Sequence, residues 1–559
     1  MFNSQIPQLI ARSSYIFFYL QISLDSIWFT STIFNDGHYA GRPDCSKLTW
    51  LRERNRTYGY IIGAMGFLTV VKASLVVASL ALITPNNPVR TAIAFGGLGY
   101  SISSYLIPRV SGSFIRIGLK GKDQSKAGPV GYIAESMGVV VAVTYLFLMI
   151  CLIPFIFFKY LVSFSNLSNY GDMSQNYDDQ YQTLPDNKLF PHNKLAEYLS
   201  GILCLQSTTL LGLFDDLFDI RWRHKVLIPA FASLPLLIVY YVDFSVTSVV
   251  VPSFITNNRF GEYCLQFLNY FIKSGNQIVT KVTGLSFRTL STNYIVPHSS
   301  PKLLDLGVFY YGYMSAISIF SPNAINILAG INGLEVGQSI ILAIIFLIND
   351  ACYLLSDNIS QAAHDSHLFS LIFIIPFLGV SLGLLQYNWF PARVFVGDTY
   401  CYFSGMVFAI VGILGHFSKT LLIFLLPQII NFIYSIPQLF HLVPCPRHRL
   451  PKFNPKDGLM YPSFADLPNQ SFCAITMLTI LEFFGLIQLQ REPKLKKIIQ
   501  FSNMTIINWF LVVLGPMRED TLCLLIMFTQ LLIGIFMIIV RHTLGPWIFG
   551  YDNLSWGVK

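Results

Sequence analysis

The sequence predicts an all-α polytopic membrane protein, with ten or eleven transmembrane helices and a small cytosolic subdomain between the last two. Three observations carry that prediction. Of 559 residues, 53% are hydrophobic and only 12% charged, with a mean hydropathy of +0.55, whereas soluble domains carry about 25% charged residues. Apolar runs of membrane length recur along the chain. Lys and Arg gather in the loops between those runs, so the net charge of +8 reads as positive-inside loop charge and not as a nucleic-acid footprint. No nucleic-acid partner is expected.

Taken in order, residues 1–57 form an N-terminal arm to which the sequence assigns no role. Its apolar run, Tyr15 to Leu24, is shorter than the ~20 residues a span needs. A transmembrane bundle is expected over 58–441, with runs at 58–84, 90–109, 130–158, 194–214, 226–250, 304–321, 335–355, 367–389, 400–417 and 421–441. The stretch 255–302 within it reads as an insertion on the lumenal side, and sequons stand at Asn166 and Asn358. Residues 442–519 have mixed character, Pro-rich and basic at first and then apolar around REPKLKK. They read as a cytosolic substrate-binding subdomain partly lying on the membrane. The last helix, at 520–541, and a tail complete 520–559. Nine cysteines are scattered without a C-x-x-C pair, which fits packing residues better than a disulfide or zinc framework.

Chemistry concentrates where apolar runs end. In GLFDDLFDIRWRHK, Gly212 to Lys225, a helix continuing to Ile220 would put Asp215 and Asp219 on one face, with Asp216 roughly 100° round. Such a face invites Mg²⁺, a proton, or Arg221, Arg223 and Lys225; equally, the acids could only solvate a helix end. NAINILAGINGLEVG places Asn323 and Asn326 on one helical face ahead of Gly330, Asn332 and Glu335. These amides could ligate a metal, hydrogen-bond a sugar or tie a helix turn.

FPARVFVGDTY brackets Phe395 and a lone carboxylate, Asp398, where the next apolar run begins. Asp398 is a functional candidate or an N-cap of that helix. In VPCPRHRLPKFN, Arg447, His448 and Arg449 are framed by Pro444, Pro446 and Pro451. Two guanidiniums beside an imidazole suit a diphosphate, and the positive-inside rule alone would explain their charge but not the proline frame. A Gly-Lys-rich loop, GLKGKDQSKAG at 118–128, contains Lys126 and precedes Glu135; its phosphate signal is weak, since no Walker or Rossmann spacing is present.

Alternating crossings put all five clusters on the basic, hence cytosolic, side. Solvation of helix ends alone would have spread them over both faces. Together they offer oxygen ligands for Mg²⁺ and cations for a diphosphate beside apolar helices that could hold a lipid, which predicts phosphoryl transfer to a membrane-bound acceptor.

The ordered set DDLFD with RWRHK, NAINILAGINGLEVGQ, FVGDTYCYFSGM and CPRHRLPKFN resembles the polyprenyl-phosphate N-acetylhexosamine-1-phosphate transferase family, from about residue 90 to the C-terminus. The Arg-His-Arg loop resembles its dolichol branch. The resemblance implies a multi-pass endoplasmic-reticulum enzyme with its active site facing the cytosol. UDP-GlcNAc and dolichyl phosphate would be substrates, Mg²⁺ the cofactor, membrane lipid the surroundings, and a homodimer and downstream glycosyltransferase subunits the expected partners. It implies Asn326 and Asp398 as Mg²⁺ ligands, and Arg447, His448 and Arg449 as the grip on the diphosphate and sugar. Phe395 and Asn332 would be uridine contacts, with Gly330 nearby. Asp215, Asp216 and Lys225 would be catalytic-centre residues, Glu135 and Lys126 substrate-pocket residues, and Asp219 a further binding candidate.

Dolichyl phosphate is already largely ionised near neutral pH, with a second pKa near 6, so positioning is favoured over proton abstraction for Asp215 and Asp216. A direct displacement is favoured over a phosphorylated aspartate. The rival from another class is a transporter or flippase for a nucleotide sugar or lipid-linked sugar, which would place its polar residues near mid-span. The arm 1–57 and the insertion 255–302 depart from the family pattern.

Overall fold

The structure is a computed structural model that describes residues 70–85, 87–123, 131–162, 190–244, 246–284, 303–356, 359–446, 449–468, 471–492 and 497–549. The arm 1–57, both sequons, Lys126, Arg447 and His448 lie outside the described residues. The main helices are α1 (Val70–Leu82), α2 (Pro88–Arg116), α3 (Gly138–Ile156), α4 (His192–Phe218), α5 (Leu234–Asp243), α6 (Arg259–Thr283), α7 (Val308–Ile327) and α8 (Leu334–Leu354). They continue with α9 (Gln361–Asn388), α10 (Gly397–Leu414), α11 (Ser418–Phe424), α12 (Leu426–Leu439), α13 (Phe472–Phe483), α14 (Ile506–Leu514) and α15 (Glu519–Phe549).

Among the described residues six helices, α3, α4, α8, α9, α10 and α15, are long and apolar enough to cross a membrane, or seven if α11 and α12, bent by 67°, count as one span. Some of the ten or eleven expected runs fall outside this set for local reasons. The run at 226–250 is not one helix: Pro229 and Pro235 open two separate helices, Ile228–Ala232 and α5, since proline lacks the N–H a continuing helix needs. α2 and α7 are 29 and 20 residues long but carry too many Gly, Ser, Asn or charged residues to qualify by apolarity.

α10 is the axis of the bundle. Every residue from Thr399 to Leu414 is buried, and α3, α4, α7 and α9 pack around it. A helix apolar all round belongs in such a position. Phe377, Phe403 and Phe408 interlock there with Tyr145 and Phe346 at ring separations of 5.2 to 6.4 Å. α4 comes unusually close: a Cβ at Gly212 would lie 2.6 Å from Thr399 Cα, so only glycine lets the aspartates that follow reach the start of α10.

The N-terminal ends of α3, α8 and α10 and the C-terminal ends of α4 and α7 meet at one end of the bundle. The opposite end is tied by other groups. Tyr240 Oη lies 3.4 Å from His416 Nδ1, and His367 stacks on Tyr353 while its Nδ1 meets Asp350 at 2.7 Å.

Strands that the sequence reading did not foresee frame the site end. A hairpin pairs β1 (Lys120–Lys122) with β2 (Tyr132–Ala134). At the far end β3 (Ser248–Val250) pairs with β4 (Leu303–Asp305). The segment expected as a subdomain holds a hairpin of β5 (Lys452–Asn454) and β6 (Leu459–Tyr461), and an antiparallel sheet ordered β7 (Phe464–Asp466), β9 (Ile498–Ser502), β8 (Leu489–Arg491). Leu478 of α13 packs on Phe501 and Ile498 of this sheet. A second cluster joins Met460, Ile507 and Leu511 to Leu328 and Ile331 of the α7–α8 loop and to Leu522 of α15, which clamps the subdomain onto the bundle. The insertion, expected as a loop, contains the 25-residue α6.

Candidate active site

α4 stops at Phe218, and Asp219 turns the chain with φ 47° while its N–H donates to the Asp215 carbonyl at 2.9 Å. Asp tolerates this left-handed conformation better than most residues. Asp219 therefore is exposed and off the helix, and does not form the expected one-faced pair with Asp215. The turn instead lets the short helix Trp222–Lys225 fold back over the end of α4.

That fold-back carries the Lys225 ammonium between two carboxylates, 2.8 Å from Asp215 Oδ2 and 2.9 Å from Asp398 Oδ2. Burial alone would lower the pKa of Lys225, but the Asp398 and Asp215 charges reverse this and hold it above the usual lysine range. Asp215 also accepts the Ile220 N–H at 3.1 Å and is enclosed, with a side chain 2% exposed against 35% for Asp398. Of the two, Asp398 faces the opening.

Asp216 has a different occupation. Its carboxylate accepts the Asp398 N–H at 2.7 Å, the Thr399 N–H at 3.3 Å and the Thr399 hydroxyl at 2.6 Å. It thus caps α10 from another helix, placing an anion at the positive end of the helix dipole. Asp398, considered above as its own helix's cap, is free to use both side-chain oxygens elsewhere. Oδ2 meets Lys225, and Oδ1 accepts the Asn326 amide at 2.8 Å. Gly397 has φ 72°, and a Cβ there would lie 2.5 Å from Asp216 Oδ2. Asn323, by contrast, turns back to the Ile319 carbonyl at 2.7 Å and ties its own helix.

The loop after α7 is shaped by Glu335, which accepts the Gly330 N–H at 2.9 Å. Leu450 sits over Gly330, its Cδ2 2.0 Å from where a Cβ would be, so the Arg449 loop closes on the α7–α8 loop. Arg449 is held by its backbone: its carbonyl accepts Asn508 Nδ2 at 2.8 Å and Ser463 Oγ at 3.3 Å. Its Nη1 is buried and has no hydrogen-bond partner among the described residues, and burial lowers its pKa.

Across the opening, Phe395 joins the first hairpin: its N–H donates to the Ala134 carbonyl at 2.8 Å, and its carbonyl accepts the Met137 N–H at 3.0 Å. Its ring lies against Gly121, and Glu135 Oε2 is beside the same glycine. Burial, then the Asp216 and Asp398 charges, raise the Glu135 pKa. Asn332 is buried and already engaged: its N–H donates to Glu519 at 2.6 Å and its amide to Asp123 at 2.9 Å. Among the described residues no group of three or more His, Cys, Asp or Glu could hold a metal; the oxygen donors on offer are the Asp398 carboxylate and the Asn326 amide.

The structure therefore brings together Asp215, Asp216, Lys225, Asn326 and Asp398, and sets Glu135, Phe395, Gly330, Asn332 and Arg449 around them. Sequence reasoning missed Thr399, Asp123, Glu519, Ser463 and Asn508. Thr399 had a signal in standing next to Asp398. The others had none, because Asn332 meets Asp123 and Glu519 only across 209 and 187 residues of chain.

The model of a family described as glycosyl transferase family 4 matches residues 198–416, which run from α4 through α10 and include the whole Asp215–Lys225–Asp398–Asn326 cluster. Beyond it the chain is similar to proteins named UDP-N-acetylglucosamine–dolichyl-phosphate N-acetylglucosaminephosphotransferase. That of Saccharomyces cerevisiae is 51% identical over 84% of this chain and 94% of its own length. That of Schizosaccharomyces pombe is 44% identical over 84% and 95%, and that of Dictyostelium discoideum 37% identical over 81% and 89%. The chain belongs to this phosphotransferase family. In this family member the ends of α4, α7 and α10, with the short helix Trp222–Lys225, supply the charged cluster, and the segment between α12 and α15 supplies Arg449.

Proposed function

We propose that this chain transfers N-acetylglucosamine-1-phosphate from UDP-GlcNAc to dolichyl phosphate, giving GlcNAc-diphosphate-dolichol and UMP, the first step of dolichol-linked oligosaccharide synthesis for N-glycosylation. Family membership supports the reaction. The observation that carries the site is Lys225 bridging Asp215 and Asp398 at the end of an apolar bundle, with a buried guanidinium nitrogen of Arg449 that has no hydrogen-bond partner among the described residues.

A phosphate oxygen of dolichyl phosphate attacks the β-phosphorus, the bond from that phosphorus to the bridging oxygen breaks, and UMP leaves with the electron pair. Arg449, with Arg447 and His448 beside it in sequence, grips the diphosphate. Lys225 neutralises charge as it develops on the transferred group. Asp215 holds Lys225 in place, and Asp216 fixes the start of α10 so that Asp398 points at the opening. Phe395 and Gly121 offer a flat apolar surface at the uridine end, while Asn332 shapes that wall through Asp123 and Glu519. Mg²⁺ fits the donor set: Asp398 supplies a carboxylate and Asn326 an amide oxygen once its amide is turned, since Asn O and N are interchangeable by rotation, and Mg²⁺ characteristically takes few protein ligands plus substrate phosphates. When bound it would neutralise charge on the diphosphate oxygens.

The site end carries Lys120, Lys122, Arg393, Lys452 and Lys456 beside Lys225 and Arg449, which supports a cytosol-facing site in the endoplasmic-reticulum membrane. A transporter is disfavoured because the polar residues sit at helix ends and not at mid-span. Membranes containing the chain, given UDP-GlcNAc labelled in the β-phosphate and dolichyl phosphate, should move label into lipid and release UMP. Release of UDP would mean that only the sugar moves and would overturn the reading.

A further inference from the structure

α6 lies within the segment that departs from the family pattern, at the end of the bundle away from the site. It connects, through β3 and β4, the last residues of α5 to the first of α7, while the site is built on the last residues of α7. Its surface divides into three strips at helical spacing. The first faces the protein: Gly261 packs against the Ile255 backbone, Ile272 is buried, and Asn276 accepts the Val308 N–H at 2.8 Å. The second carries Phe260, Phe267, Phe271, Ile278 and Val282, spaced by 7, 4, 7 and 4 residues, and it is mostly bare among the described residues: Phe260 is 76%, Phe267 74% and Val282 79% exposed. The third carries Arg259, Glu262, Gln266, Lys273 and Gln277, all exposed.

A helix in water needs one apolar strip, against the protein. A second strip of bare aromatic and branched residues would be expelled from water; five such side chains at about 1.5–3 kcal/mol each outweigh any propensity effect. Continuity indicates what covers it. Phe271 packs 5.9 Å, centroid to centroid, from Phe309, the second residue of α7, whose ring is itself 40% exposed on the rim of the bundle. Val242 and Ile238 of the apolar α5 are likewise bare, so the uncovered surface continues from α6 onto the bundle. The Lys273 and Arg259 cations on the neighbouring strip suit phosphate headgroups.

We propose that α6 is an interfacial helix, lying in the headgroup region of the leaflet opposite the active site, with Phe260, Phe267, Phe271, Ile278 and Val282 in the acyl boundary and Glu262, Gln266 and Gln277 in water. It anchors the noncatalytic ends of α5 and α7 to the membrane surface.

The test uses the unaltered full chain in phosphatidylcholine vesicles containing a phosphatidylcholine whose acyl chain bears a diazirine near the glycerol. After irradiation, adducts are mapped by peptide mass spectrometry. Adducts are expected on the strip from Phe260 to Val282 and on Ile238 and Val242, and not on Glu262, Gln266 or Gln277. The double variant Phe267→Asp/Phe271→Asp should lower adduct yield across 259–283 several-fold while leaving Ile238, Val242 and transfer activity unchanged. Adducts on Ile238 with none on α6, equal labelling of its strips, or a crosslink from α6 to a second copy would each overturn the proposal.

Discussion

The two halves of the candidate site hold their charges in opposite ways. In the bundle half the cluster's charges already have partners: Lys225 lies between Asp215 and Asp398, Asp398 also meets Asn326, and Asp216 meets the first residues of α10. In the subdomain half Arg449 is fixed by its carbonyl, through Asn508 and Ser463, and its Nη1 is left buried without a partner among the described residues. A buried, unpaired guanidinium N–H is costly unless an anion completes it. On the proposed function, the bundle half would redistribute charge when a diphosphate arrives, and the subdomain half would receive one. Loss of a bundle residue should accordingly damage turnover, and loss of a subdomain residue should damage binding of the nucleotide sugar.

Asp398→Ala tests the first half most severely. It removes the half-buried carboxylate that Lys225 and Asn326 share, and should lower kcat by at least about a hundred-fold with protein abundance in membranes unchanged, because Asp216 still caps α10. Full activity in that variant would remove Asp398 from the chemistry. Arg449→Ala comes next: loss of a charge-assisted contact worth about 1.5–3 kcal/mol should raise KM for UDP-GlcNAc roughly ten-fold or more, with KM for dolichyl phosphate little changed. An effect confined to the lipid would place this loop on the other substrate. Asn508→Ala acts on Arg449 indirectly, through its carbonyl, while also releasing the Ser463 N–H and hydroxyl and the Thr505 hydroxyl, so it should raise the same KM by a smaller, several-fold factor; rescue by Asn508→Asp, which keeps the acceptor but loses the donor, should be partial. An unchanged KM in Asn508→Ala would mean that the backbone clamp does not preorganise Arg449.

These halves were not equally legible in the sequence. Asp215, Asp216, Lys225, Asn326 and Asp398 were readable because a carboxylate, amide or ammonium at the end of an apolar run violates the pattern around it. Their division of labour was not: nothing in DDLFD distinguishes Asp215, which holds a lysine, from Asp216, which caps a helix 182 residues away. Asp219 was misread because 3.6-residue periodicity carries no information about where a helix stops. The subdomain was legible as a charged, proline-framed stretch, but its strands were too short to show a period of two, and Asn508 lies inside an apolar run. The helical, membrane-embedded class followed from composition, whereas the break of the run at 226–250 depended on prolines at 229 and 235 that its apolarity masked.

Glu135 offers the finest probe of the comparison, because it faces the bundle half from the hairpin and feels Asp216 and Asp398 without bonding either. Its pKa lies above the ordinary 4.5, through burial first and then those two charges. A carboxyl that binds its proton more tightly folded than unfolded makes stability fall as pH rises, from about the unfolded value of 4.5 up through the raised folded value. Glu135→Gln should therefore flatten the decline in Tm from pH 4.5 towards neutrality, measured by thermal unfolding in detergent, and the effect should be the smallest of the four, since the residue is only partly buried and solvent screens its charge. The same variant made together with Asp216→Asn should show less than the sum of the two flattenings, because each removes part of the other's repulsion. Strict additivity would mean that Glu135 is shifted by burial alone, and that the negative charge of the bundle half does not reach across the opening.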